Sequence, residues 1–330
     1  SDCDRIAARV WRPPESPLKT RKPDAASERR LEEIRREADS KGRIESPGIR
    51  PAGSPLPEAS ADAGYYGLPL FKPPVWTWEV PAYFFVGGAA GAAAVLGVAA
   101  RIRGADERLV RDARWIAAIG ANLSTPLLIA DLGRPGRFLN MLRVFKLQSP
   151  MSVGAWIVAV FGGASTATVL LRGRLSDAVS LVSALTGLGM ATYTGVLLGA
   201  TAIPVWAAHA SRLPIHFCAS ALGSAVALLE LRGHRDPALQ RLGLVAATLE
   251  TLMGIAIESR ADPESEPLRH GDSGITIRIG GALSGPIPAL LRLVGGKSRK
   301  MREVAAVSTL LGSLITRIAW VEAGKASSRL

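Results

Sequence analysis

The chain has 330 residues, 48% of them hydrophobic, and 40 Lys and Arg against 28 Asp and Glu give it a formal charge of +12. The cations sit in the N-terminal tail and at the ends of apolar runs, not in a groove-sized cluster interleaved with aromatics, which excludes nucleic acid as a partner and reads as membrane anchoring. The two cysteines, Cys3 and Cys218, supply neither a disulfide framework nor a thiolate cluster.

Residues 1–63 form a basic tail rich in Arg, Pro, Glu and Ser, with almost no core-forming material. A charged stretch from Ser27 to Lys41 suits one solvated helix, with Glu32 and Arg36 four apart. The rest of the tail is expected to be disordered or to order against a partner. No apolar run follows a basic start, so no secretory signal is read there, and an initial Ser leaves the true start open.

Residues 64–81 carry four prolines and four Tyr or Trp side chains. Aromatics favour the headgroup level and prolines forbid a continuous helix, so this segment is expected to lie along the membrane surface. From residue 82 to 330 the chain reads as an all-α integral membrane domain. A hydrocarbon core needs about 20 apolar residues in a helix, and eight segments come near that length.

Span one, about Ala82 to Arg101, is made of small residues and carries a Gly87 and Gly91 pair suited to close helix packing. Glu79 stands at its entrance, either as a site acid or as a carboxylate favoured by the helix dipole. Span two, about Ala113 to Leu132, contains Pro126 and is expected to have a disturbed ladder near its middle. It closes on Asp131 just before Arg134, Pro135 and Arg137. An acid at a membrane boundary is a site hypothesis, the alternative being an ordinary helix end paired to Arg134 or Arg137.

Span three runs from about Ser152 to Leu171, and span four, about Val179 to Ile203, places Tyr193 at mid-span. A phenol there needs a hydrogen-bond partner, which a ligand carbonyl or a neighbouring helix can supply. Span five, about Pro214 to Leu231, opens near His216; span six, about Ala238 to Ile257, holds Glu250 inside and Glu258 at its end. Glu250 must face protein, water or a cation. Span seven, about Gly274 to Val294, is interrupted by Arg278, Pro286 and Pro288. Span eight, about Val304 to Val321, carries Arg317, a partner for a buried acid or a snorkelling cation.

His209, His234 and His270 fall in loops, so two facing histidines for a membrane haem cannot be assembled, and no haem, metal or iron-sulfur cluster is expected on this chain. Short-loop arginines, Arg292 among them, concentrate on the side opposite the N-terminus, which puts both termini outside the cytoplasm; the basic tail argues the other way.

Several motifs occur in order: Tyr-Tyr-Gly-Leu-Pro at 65–69, Val-Trp-Thr-Trp-Glu-Val-Pro at 75–81, Leu-Leu-Ile-Ala-Asp-Leu-Gly-Arg-Pro-Gly-Arg-Phe at 127–138, Met-Leu-Arg-Val-Phe-Lys at 141–146, Ser-Pro-Met-Ser-Val-Gly-Ala-Trp at 149–156, Tyr-Thr-Gly-Val-Leu-Leu at 193–198 and Glu-Ala-Gly-Lys-Ala-Ser at 322–327. With them the chain resembles the NrfD/PsrC family of membrane subunits over residues 65–327. The resemblance implies eight helices in two four-helix bundles in a bacterial or archaeal plasma membrane. It also implies exchange of electrons between menaquinone or ubiquinone and a partner four-cluster, ferredoxin-like iron-sulfur subunit that serves a molybdopterin catalytic subunit. Carried onto this sequence, Tyr193 bonds a quinone carbonyl beside Trp78, and Glu79 or Asp131 exchanges protons. Glu250 and Glu258 extend the set of proton-transfer candidates, and Arg134, Pro135, Arg137, Phe138 and Arg317 are motif or structural positions. The Asn and His that the polysulfide reductase subunit uses early in span one have no clear equivalents around Pro81 to Gly88. Two other readings compete: a proton or ion transporter, motivated by the broken span two with Asp131 and Glu250, and a purely structural anchor.

Overall fold

The computed structural model describes residues 74–328, apart from 132–135, 137, 261, 296 and 297, together with Glu33 and Arg36, both helical. The rest of the tail, the surface segment before residue 74, and Arg134, Pro135 and Arg137 lie outside the described residues.

The elements are α1 Glu79–Ile102, α2 Glu107–Asp131, α3 Phe138–Met141, α4 Pro150–Leu170, α5 Gly173–Gly199, α6 Pro204–Ala208, α7 Leu213–Leu231 and α8 Pro237–Glu258. After a 3-10 turn at Pro263–Ser265 come α9 Glu266–Arg269, α10 Gly271–Ser284, α11 Pro286–Gly295 and α12 Arg299–Ser327. Among the described residues, seven segments are long and apolar enough to cross a membrane: α1, α4, α5, α7, α8, the α10 and α11 pair, and α12. The expected eighth, α2, has 25 residues, but Glu107, Arg108, Arg111, Asp112 and Arg114 crowd its first two turns and lower its apolarity.

Pro81 does not delay α1, which starts at Glu79, because a proline in the first turn removes an N–H that has no partner there anyway. Pro126 does not break α2 either. The helix is continuous to Asp131, with the hydroxyls of Ser124 and Thr125 donating to the Ala121 carbonyl at 3.0 and 3.1 Å and the Asn122 amide donating to Ala118 O and Thr166 Oγ1. Pro126 has no N–H to donate to Asn122 O, so the ladder loses one bond there, while the neighbouring polar side chains are satisfied inside the protein. The real break is at Gly285, between α10 and α11, where Pro286 restarts the helix. A Cβ at Gly285 would press on Thr251, so the break is packed against α8 next to Glu250.

Helix α1 packs on α2, α5 and α7; α4 packs on α2 and α5; α12 packs on α10, α7 and α11; and α8 packs on α7 and α11. The small residues of α1 do what their spacing predicts: Gly91 lies directly on the backbone of Gly187 in α5, and Gly120 of α2 on Ala90. Successive long helices run antiparallel. The starts of α1, α4 and α7 therefore share one end, here the tyrosine end, with the finishes of α2, α5, α8 and α12. Cross-links confirm it: Tyr193 Oη donates to Pro150 O, and Val205 N donates to Ser327 Oγ. At the opposite, arginine end, Arg101 reaches Asp177 and Asp112 accepts from His234. Rows of exposed Leu, Val and Ile, such as Leu181, Leu185 and Leu188 on α5, supply the outer surface that lipid requires.

Candidate functional site

Two polar sites are built into the apolar frame. The deeper one centres on Glu250 of α8, which is 3% exposed. His216 Nδ1 of α7 lies 3.4 Å from its Oε2, and Ser284, the last residue of α10, donates to the same oxygen at 3.3 Å. Glu250 Oε1, His216 Nδ1 and Thr316 Oγ1 are buried with no hydrogen-bond partner. All three residues line a cavity of about 260 Å³. At roughly 30 Å³ per molecule that space holds several waters, and these orphaned atoms are what such waters need. The cavity wall extends to Glu258 and Arg278, an ion pair at 2.6 Å with both side chains about half exposed. Glu258 ends α8 eight residues beyond Glu250, about 12 Å along the axis at 1.5 Å per residue. A buried acid is therefore joined, through a mainly apolar cavity lined at intervals by His216, Thr251 and Thr316, to a charged mouth at the tyrosine end.

Arg317 is 1% exposed and does not snorkel. Its guanidinium donates to Ser220 Oγ and to Phe217 O, lies 4.6 Å over the Phe217 ring, and stands within Coulombic reach of Glu250 without a direct ion pair.

The second site is at the tyrosine end of α1 and α2. Glu79 accepts from the Thr77 hydroxyl, the Thr77 backbone N–H is directed at Asp131, and the two acids are close enough to repel. Trp78 caps α1 and is 69% exposed. Thus Glu79, Asp131 and Trp78 come together. Tyr193 lies six residues before the finish of α5 at Gly199, level with the first residue of α4, rather than in the middle of that helix. Its partly exposed phenol donates to Pro150 O at 2.9 Å, and its ring rests on Gly154. It shares this end with the acidic pair, but no described contact links them. Phe138 is buried at the start of α3.

The residues matched by the family described as polysulfide reductase, of the NrfD type, are 62–329. The chain belongs to that family. Comparison with curated proteins gives no match. NrfD-type membership makes this a membrane subunit of a polysulfide-reductase-like oxidoreductase, which implies iron-sulfur and molybdopterin partner subunits and a lipid bilayer as surroundings.

Some polar groups of this NrfD-type chain escape sequence reasoning. Arg292, counted above among loop cations, is 2% exposed and makes two parallel bonds to Glu230, at 2.8 and 2.7 Å. His209, counted as a loop histidine, is fully buried against Ser265 and Trp320. The one available signal was the run Pro-Val-Trp-Ala-Ala before it, whose Trp206 donates to Trp320 O and stacks on Trp76.

Burial, followed by the charges of Arg212 and Arg260, pushes the His209 imidazole down to about 4. The unfolded chain, with a His pKa near 6.5, therefore binds this proton more readily. The stability tied to a neutral ring is complete above about pH 6.5 and is lost as pH falls toward 4. The thermal midpoint in detergent is expected to drop between about pH 7 and pH 5, and to drop less steeply in His209→Gln.

Proposed function

We propose that this chain is the quinone-reactive membrane anchor of a multi-subunit molybdopterin and iron-sulfur oxidoreductase, passing electrons between menaquinone or ubiquinone and a partner four-cluster iron-sulfur subunit. The observation that carries the reading is membership of the NrfD-type family across the whole helical region. Cysteine arithmetic supports it: a cluster takes four thiolates, and the chain has two cysteines, so the electrons must come from or go to clusters on another subunit. The same reading leaves the chain without haem.

In this proposal α2 is an eighth crossing, and the helices form two four-helix bundles, α1, α2, α4, α5 and α7, α8, α10 with α11, α12. Eight crossings put both ends of the domain on one side. The arginine-rich loops then face the cytoplasm of a bacterial or archaeal cell, with the termini and the tyrosine end outside. Tyr193 exchanges its bond to Pro150 O for one to a quinone carbonyl, with Trp78 at the rim. Glu79 and Asp131 pass protons between that carbonyl and water. Glu250 and Glu258 offer a second, deeper proton store through the cavity between them.

Purified together with its partners, the complex should retain a quinone extractable by solvent. Glu250→Gln should slow quinol turnover by on the order of 10-fold while assembly is unchanged, as loss of a proton-transfer group does. A complex that holds no quinone and turns over none sinks the proposal. The buried Glu250 and His216 pair, with its water-sized space, favours one other reading, proton or ion translocation; that reading requires ion flux in liposomes of this chain alone, without a redox partner.

A further inference from the structure

At the arginine end, the first turns of α2 and α5 and the last turn of α4 enclose a pocket of about 280 Å³. Its walls carry Arg111, Arg114, Arg172 and Trp115, with Glu107 as the only acid. Glu107 is engaged by Arg101, and Arg114 by Asp177 at 2.7 Å and Ser176 at 3.1 Å. Arg114 nevertheless keeps a buried Nε with no partner, and Arg111 and Arg172 are exposed with no carboxylate on them among the described residues. The pocket is therefore a net cationic space with hydrogen-bond donors to spare.

The backbone adds to the same field. Gly173 and Ser176, from the first turn of α5, also line the pocket, and the cap of that helix, Arg172, makes no side-chain capping bond. The unsatisfied N–H groups and dipole of a 27-residue helix favour an anion at this point. An apolar ridge leaves the pocket toward the membrane middle. Trp115, Ile119 and Leu123 follow Arg111 at four-residue spacing on one face of α2 and are 50%, 53% and 54% exposed. A charged head and an alkyl strip running from it into hydrocarbon depth together have the chemical character of a phospholipid.

We propose that this pocket binds the headgroup phosphate of an anionic phospholipid, with Arg111 and Arg172 as its principal counterions and an acyl chain along Trp115, Ile119 and Leu123. A zwitterionic lipid presents the same phosphate but brings its own ammonium among the guanidiniums, which repel it. A free phosphate ion satisfies the arginines and leaves the ridge uncovered. Basic pockets between transmembrane helices are suited to anionic headgroups for the same reason.

Native mass spectrometry of the full chain in detergent tests this, with phosphatidylglycerol, phosphatidylcholine or inorganic phosphate added separately. Phosphatidylglycerol should bind at least about 10-fold more tightly than phosphatidylcholine, and Arg111→Gln with Arg172→Gln should abolish that preference. Arg103→Gln with Arg108→Gln, exposed at the same end outside the pocket, should preserve it. If the double pocket variant does not fold, Arg172→Gln alone, at an exposed cap, should still reduce the preference several-fold. Equal binding of the two lipids, or an undiminished preference in the folded pocket variants, overturns the proposal. Displacement of the lipid by inorganic phosphate at comparable concentration also overturns it, in favour of a soluble anion.

Discussion

Arg292→Ala and Glu230→Ala should each lower stability by about 3–5 kcal/mol, the cost of leaving one member of a buried pair without its counterion. The two side chains are 1% and 2% exposed, the guanidinium and carboxylate meet through two parallel bonds, and no described cation or acid is placed to take over from either. The site is also tight: a Cβ on Gly243 would land on the Arg292 guanidinium, which lies directly against the α8 backbone. The double variant Glu230→Met with Arg292→Met removes both charges and keeps most of the volume. It should unfold at a higher temperature than either single variant. Thermal unfolding in detergent, followed by size-exclusion chromatography, checks this; a double variant no better than the worse single one would show that lost packing, rather than an orphaned charge, sets the loss.

Gly91→Val should be the other severe change, costing on the order of 3 kcal/mol through overpacking. The added carbons would meet the Gly187 carbonyl and Met190 Cβ. The first obstacle is backbone, which no rotamer change can clear, so α1 and α5 must move apart. Because α1 also contacts α2, α7 and α12, separating it from α5 disturbs its packing on those helices as well. Gly187→Val should act in the same way. Gly162→Ala and Gly281→Ala, where a Cβ meets nothing within 4 Å, should be close to neutral. Expression and thermal midpoint of the four variants side by side report the difference directly.

The membrane class was legible because apolar runs of spanning length are a strong signal, and the role of Gly91 because a GxxxG pair has a geometric meaning. Helix ends were less so. Helix α5 extends outward past its apolar core through Arg174 and Asp177, since the backbone ladder continues at the interface where charged side chains reach water. Tyr193 sits toward one end because α5 stops at Gly199, four residues short of Ile203. The seven-versus-eight count turns on α2, whose polar residues include Asp112, buried at 5% exposure and bonded to His234. Hydropathy cannot distinguish such a satisfied acid from one that keeps a helix in water. Glu250 was recognisable as a buried acid, but its neighbours His216 and Ser284 were not, because they lie 34 positions away in either direction and no local pattern encodes that register. Glu230 and Arg292, 62 positions apart, were hidden in the same way.

In the proposed function a phenol at the tyrosine end engages a diffusing quinone. The measurement that tests it is the rate at which quinol reduces, or quinone reoxidises, the clusters of the partner subunit in membranes carrying Tyr193→Phe. The variant keeps the ring against Gly154 and loses the hydroxyl and its bond to Pro150, which costs about 1 kcal/mol of stability and leaves assembly intact. A fall in turnover of about 10-fold or more, with normal levels of assembled complex, is the predicted result. Full turnover in a fully assembled variant would contradict it.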